Sequence, residues 1–216
     1  MTPSSVSEPH VVVLATRNAG KIKELHALLA PLGLAVQGLD AYPEIGEIPE
    51  TGTTFLENAR IKARAVCRAT GRISLADDSG LCVDALSGAP GVYSARFSGE
   101  NATDEANNAK LLTAMALVPE RDRTCRFVSV VVAASPDGRE LVAEGAWEGR
   151  VAAEPAGGGG FGYDPLFFDP HAGKTAAELT PAEKNGRSHR GKALAALVEK
   201  WRTGWVEAAA GEGETP

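Results

Sequence analysis

Three cysteines, at 67, 82 and 125, are all that the 216-residue chain has, and none sits in a C-x-x-C. Their odd number and wide spacing argue against a disulfide framework, a zinc knuckle or an iron–sulfur site, and favour three reduced, mostly buried thiols. Long apolar runs are missing too: none approaches the ~20 residues that span a bilayer. Met1–Pro9 has neither the basic n-region nor the apolar h-region of a signal peptide. A cytoplasmic protein without membrane contact is therefore expected. Nor is there a basic surplus, since 22 Lys and Arg face 28 Asp and Glu, for a net charge of −6. That balance argues against binding nucleic-acid polymers. It leaves open a small polyanion held by a few placed cations.

What is present is an ordinary globular composition, 44% hydrophobic and 23% charged. The length suits one domain, read here as 10–205, with small polar arms at 1–9 and 206–216. Glycine is high, at 24 residues, and much of it lies in short clusters.

Strand and helix signals alternate along the first half. His10–Thr16 and Leu34–Leu39 read as strands. Between them Ile22, Leu25, Leu28 and Leu29 recur at helical spacing, closed by Pro31 and Gly33. An acidic loop over 40–52 carries Asp40, Glu44, Glu47 and Glu50. Thr54 to Glu57 form a capping box that opens a second helix. Arg72–Ala76 reads as a strand ending at Asp77-Asp78-Ser79-Gly80, and Leu81–Leu86 as a separate short strand. A helix is expected over about 103–117. Two apolar runs, 125–135 and 139–149, flank Pro136-Asp137-Gly138 and predict a long antiparallel hairpin. Leu194, Leu197, Val198 and Trp201 mark a last amphipathic helix. The fold class is α/β with a mixed sheet.

Four segments carry chemistry on their own residues. Thr16-Arg17-Asn18-Ala19-Gly20-Lys21 lies between a strand and a helix, where backbone N–H groups and the positive helix end hold phosphate. It lacks the glycine and hydroxyl of a Walker A loop, having Ala15 and Ile22 instead. Gly157 to Gly162 matches G-x-G-x-x-G formally, but Pro165 follows where that fingerprint needs a helix. The glycines suit a mobile loop that brings backbone to a ligand, with Phe161 free to stack. Adjacent Asp77 and Asp78 point to opposite sides of an extended chain, so one faces the space beyond the strand, and acids there suit a hard divalent cation. Ser79 lacks a nucleophile elbow and is a candidate ligand contact. Lys184 to Lys192 holds four positive charges in nine residues, and Ser188 can cap the last helix, placing His189 and Arg190 at its start.

Six motifs follow one another along the chain: Thr16-x-Asn18-x-x-Lys21, Glu50-Thr-Gly-x-Thr-Phe-x-Glu-Asn58-Ala-x-x-Lys62-Ala, Ala76-Asp-Asp78-Ser79-Gly-Leu, Gly88-Ala-Pro-Gly-Val-Tyr-Ser-Ala-Arg96-Phe, Gly159-Gly-Phe161-Gly162-Tyr163-Asp164-Pro and Ser188-His189-Arg190. Together they resemble the inosine triphosphate pyrophosphatase family, also described as non-standard purine NTP pyrophosphatases or XTP/dITP diphosphatases. The likeness spans about 10–200. It implies an elongated mixed sheet with flanking helices and two lobes around a nucleotide-binding cleft, in a homodimer. It implies hydrolysis of ITP, dITP and XTP to the monophosphate and pyrophosphate with Mg²⁺. By matching position, Thr16, Arg17, Asn18, Ala19, Gly20, Lys21 and Lys62 hold phosphates. Asp78 is the general base and a metal-linked carboxylate, Ser79 contacts substrate, and Glu50 helps hold Mg²⁺, a place Glu44 or Glu47 could take. Phe161, Gly162, Tyr163 and Asp164 contact the nucleoside, and Lys184, His189 and Arg190 the base or its surroundings. Arg17 stands where a glycine is common. Two rival readings are a Maf-like pyrophosphatase and a nucleotide sensor without turnover. The 159–164 and 188–190 motifs count against the first, and Asp77-Asp78, Lys21 and the acidic loop against the second.

Overall fold

A computed structural model describes residues 11–29 and 34–204. The arms expected at 1–9 and 206–216, and the helix stop at Pro31 and Gly33, lie outside the described residues. Among those described, strands β1 (Val11–Leu14), β2 (Ala35–Gln37), β3 (Ile73–Val83), β4 (Thr124–Ala134), β5 (Glu140–Val151), β6 (Phe167–Asp169) and β7 (Lys174–Thr175) form one sheet. Its order is β2-β1-β3-β4-β5-β6-β7. β1 is parallel to β2 and β3, and every later pairing is antiparallel. The helices are α1 (Ala19–Leu29), α2 (Phe55–Thr70), α3 (Asp104–Ala114), α4 (Pro181–Arg187) and α5 (His189–Gly204). The expected mixed α/β class is what forms.

Local chemistry sets several of these boundaries. The Thr54 hydroxyl accepts from the Glu57 amide while the Glu57 carboxylate accepts from the Thr54 amide, so α2 starts on the expected capping box. Gly71, at φ 62°, closes it in the left-handed region. The predicted hairpin is β4–β5, paired from Thr124 opposite Arg150 to Ala134 opposite Glu140. α3 is shorter than expected: the chain tightens after Ala114, with the Ala116 amide donating to the Thr113 carbonyl.

One expectation is overturned. Asp77 to Gly80 does not end a strand, and 72–86 is not two strands, because β3 runs unbroken from Ile73 to Val83. Asp77 lies opposite Val131 and Asp78 opposite Val130 on β4. The strand tolerates this polar run because β1 stops at Leu14, opposite Leu75. Beyond that point one edge of β3 has no strand beside it among the described residues.

The two faces of the sheet are buried differently. Val12, Leu14, Leu75 and Val131 pack with Leu25 and Leu29 of α1 and Leu194 and Leu197 of α5. On the opposite face Ala76, Val130 and Val132 pack with Ala59, Ala63 and Val66 of α2, with Leu39 just after β2 and with Ile45 of the acidic loop. A third cluster joins Leu81, Phe127, Trp147 and Phe167 to Leu111 of α3. Each buried Leu or Phe contributes roughly 1.5–3 kcal/mol relative to exposure. α5 seats its first turn on β5 at Gly145, where a Cβ would come within 2.2 Å of the His189 carbonyl oxygen. That close approach fixes where His189 and Arg190 enter.

Candidate active site

A cleft of about 640 Å³ opens where β1 ends. Its walls include Thr16, Arg17, Asn18, Lys21, Glu50, Lys62, Asp78, Ser79, Phe161, Gly162, Tyr163, Asp164, Lys184, His189 and Arg190. Every expected site residue is thus brought to one place, save that Ala19 and Gly20 sit just behind the wall, with the Phe161 ring lying against Gly20. Of the acidic loop, Glu47 and Glu50 reach the cleft, whereas Asp40 and Glu44 do not line it.

The turn after β1 is built to expose amides. The Asn18 side-chain oxygen accepts from the Lys21 amide, capping α1, and the Thr16 hydroxyl accepts from the Asn18 amide. The first-turn N–H groups of Ala19 and Gly20 have no intrahelical acceptor, as at any helix start, so the turn is a potential anion seat. The Arg17 guanidinium donates to the Ile45 carbonyl and so ties this turn to the acidic loop.

Where β1 no longer covers β3, the Asp77 carbonyl faces no strand amide. Lys62 Nζ donates to it at 2.9 Å and also meets Glu50 at 2.7 Å and Asp78 at 3.2 Å. A lysine from α2 therefore satisfies a backbone group that a neighbouring strand would have paired. Its pKa is raised: burial pulls it down, but Asp78, Glu50 and Asp77 together outweigh that. Lys21 approaches from α1, 3.0 Å from the Asp77 carboxylate. Burial lowers the pKa of this second lysine in spite of Asp77.

The two adjacent acids differ sharply. Asp77, only 1% exposed, accepts from Ser129 at 2.9 Å and from Arg190 at 3.1 Å, beside Lys21. Burial alone would raise its pKa, but Arg190, Lys21 and Lys62 hold it far below the carboxylate range. Asp78 shares Lys62 through one oxygen, while its Oδ2 is buried with no partner among the described residues. Burial pushes its pKa up, assisted by Glu50 and opposed by Lys62 and Lys21. A carboxylate moved in that direction is a better proton acceptor near neutrality.

The far end of the cleft rests on a chain of ion pairs. Arg190 joins Asp77 to Glu24 and donates to the Ser79 hydroxyl at 3.0 Å. Lys184 joins Glu24 at 2.9 Å to Asp164 at 2.6 Å. The Phe161 ring lies over Lys184, 4.9 Å from its nitrogen, and the Phe161 amide donates to Asp164. His189 stacks on Phe127 at 4.8 Å. Burial first, then Arg190, lowers its pKa well below the usual value, so it is neutral at pH 7. Ser188 does cap α5, accepting from the Gly191 amide.

Several groups in this arrangement were not expected. Glu24 is the hub of the ion-pair chain, and its signal was indirect: the buried bases at 184 and 190 require acids. Asp104 accepts from the Gly162 amide at 2.6 Å and Asn108 donates to the Gly162 carbonyl at 2.8 Å, so α3 holds the Phe161 loop from both sides. The glycine run before that loop serves the protein itself, since the Gly159 amide donates to the Ala177 carbonyl at 3.0 Å.

Comparison with known proteins points one way. The model of the Ham1 family matches residues 12–200. A dITP/XTP pyrophosphatase of Nitratidesulfovibrio vulgaris is 58% identical over 200 residues, which are 90% of this chain and 97% of that protein. One of Streptococcus mutans is 52% identical over 189 residues, or 87% of this chain, although the chain spans only 58% of that longer protein. A HAM1 protein structure from Coxiella burnetii superposes with a TM-score of 0.81 at 44% identity, covering 88% of this chain and 97% of that one. A structure from Mycobacterium abscessus described as a nucleoside-triphosphatase, dITP/XTP pyrophosphatase, gives 0.72 at 48% identity over 87% and 98% of the two chains.

Proposed function

Since this chain belongs to the Ham1 family, we propose that it hydrolyses deaminated purine nucleoside triphosphates, ITP, dITP and XTP, to the monophosphate and pyrophosphate. One observation supports this most: Asp78, shifted toward basicity, sits on an uncovered stretch of strand paired with Lys62, in the same cleft as Lys21 and the capped helix start. That is a base, a polyanion seat and a charge sink in one cleft.

The residues also fit a hard divalent cation. Asp78 Oδ2 is a buried oxygen with no partner among the described residues, and Glu50 lies on the same lysine. No group of three or more acidic, His or Cys ligands exists among the described residues. Mg²⁺ is commonly held by one or two carboxylates together with substrate phosphates, so Asp78 and Glu50 are the residues that would hold it. Bound there, it supplies charge neutralisation for the phosphates.

The chain's own groups do the rest. The Thr16–Lys21 turn and Lys62 receive the triphosphate and counter the charge that develops. Asp78 orients a water molecule and takes its proton. Ser79 lies at the floor beside Arg190. Phe161, Gly162, Tyr163 and Asp164 meet the nucleoside, with Phe161 against the purine, above Lys184 and Arg190. Base choice rests on hydrogen bonds to the 6-oxo edge, because a donor that suits a keto oxygen meets another donor in adenine. The same reading takes 10–205 as one domain, working in the cytoplasm as a homodimer, which sedimentation would check.

The test is pyrophosphate release from ITP, XTP, GTP and ATP at matched concentration, with Mg²⁺ and with a chelator. Deaminated nucleotides should turn over fastest, and chelation should stop turnover. Equal or faster ATP hydrolysis overturns the specificity, and activity without metal overturns the role of the cation.

A further inference from the structure

The buried cations of the cleft are already matched. Lys21, Lys62, Lys184 and Arg190 each have a carboxylate within 3.2 Å. A triphosphate brings negative charge that these pairs do not balance. Arg96 is different. Its Nη1 stands 3.9 Å from Glu50, the outer limit of an ion pair, and its side chain is 45% exposed. The guanidinium lies over the exposed ring of Tyr93, 5.1 Å from its centroid. It still lines the cleft, beside Glu50 and Lys62.

The backbone that carries Arg96 is held firmly. Residues Gly91–Arg96 form a 3-10 turn packed on β3 just past Ser79. At Gly80 a Cβ would come within 2.4 Å of the Gly91 carbonyl oxygen, so only glycine permits the approach. The Ser94 hydroxyl accepts from the Leu81 amide at 2.9 Å and donates to Gly91 at 2.6 Å. Tyr163 donates to the Ser94 carbonyl and Asn107 to that of Ala95. A fixed turn thus presents a long, weakly paired side chain at the cleft wall.

We propose that Arg96 is a further catalytic residue, whose guanidinium turns from Glu50 to the terminal phosphates of the substrate and neutralises the departing pyrophosphate. Its planar fork of donors matches phosphate oxygens two at a time. In the reaction the water oxygen bonds to the α-phosphorus and its proton goes to Asp78. The bond from the α-phosphorus to the α–β bridging oxygen breaks, and its electron pair stays on the pyrophosphate, where Arg96 places positive charge. This assignment rests on the hydrolytic reading above.

The experiment compares wild type, Arg96→Lys and Arg96→Ala by calorimetry with inorganic pyrophosphate and, separately, with inosine monophosphate, both with Mg²⁺. Turnover of ITP is measured alongside. Arg96→Ala should weaken pyrophosphate binding and lower kcat about ten- to a hundredfold, with inosine monophosphate binding unchanged. Arg96→Lys should fall between. Unchanged pyrophosphate affinity, or equal loss for the monophosphate, overturns the proposal. So does a changed magnesium affinity with normal pyrophosphate binding, which would make Arg96 only a partner of Glu50. A wild type that binds pyrophosphate through Arg96 yet releases none from ITP would sink the hydrolytic reading and not the assignment of Arg96 as a pyrophosphate ligand.

Discussion

Asp77 and Asp78 are neighbours on one strand with opposite fates. The side chain of Asp77 turns toward α1 and α5 and is saturated: two hydroxyls and two cations touch it, and Lys62 adds to the field that keeps it ionised. That of Asp78 turns toward α2, shares one lysine with Glu50 and keeps an oxygen without a partner among the described residues. The strand's two-residue period separates them onto two faces, and each face supplies a different environment. Burial pushes both pKa values up, and only the number of facing cations reverses the outcome at Asp77. The difference teaches that neighbours on one strand can divide their tasks: the saturated acid ties elements together, and the under-satisfied one is the acid proposed to react.

Three substitutions test that contrast. Asp78→Asn should lower kcat for ITP by roughly 10²–10⁴, while the melting midpoint stays level or rises, because a neutral group now fills a place that disfavours charge. Near-normal turnover would remove Asp78 from its role, and a large fall in stability would erase the contrast. Asp77→Asn should act through folding, costing about 3–5 kcal/mol in urea denaturation because Arg190 and Lys21 lose a buried partner. The pH dependence follows from the depressed pKa. Asp77 stabilises the fold above the ordinary carboxylate value of about 3.9, and that contribution is lost as pH falls toward its native value. The asparagine variant should therefore lose less stability than wild type below that pH, and parallel acid profiles would contradict the assignment. Smallest is Gly80→Ala, expected to cost about 1–3 kcal/mol and to displace the 91–96 turn, read as a lower melting midpoint with a raised KM.

The parts legible in the sequence were those with local signals. The capping box of α2 and the Pro136-Asp137-Gly138 hairpin each lie within a few residues of the structure they set. The continuity of β3 was not legible, because it depends on where β1 stops and on β4, some fifty residues away. β6 and β7, of three and two residues, were too short to show a period. α4 begins with Pro181 inside a capping box from Thr180 to Glu183, but at seven residues it is too short to show a helical period behind that start signal. In the site, ordered motifs led to the cleft residues. Glu24 escaped because its partners lie 160 and 166 residues downstream. Arg96 was visible in a motif but had no stated task until its weak pairing was seen.

Lys62 has a second consequence. An uncovered strand edge is a template on which another chain can extend the sheet, and folded proteins guard such edges with charge, lysine above all. Here the guard and the cation proposed to face phosphate are one side chain, bonded to the open carbonyl of Asp77. On the proposed reading the sheet is left unfinished where the nucleotide enters, and the lysine assigned to that nucleotide also keeps the gap closed to other strands.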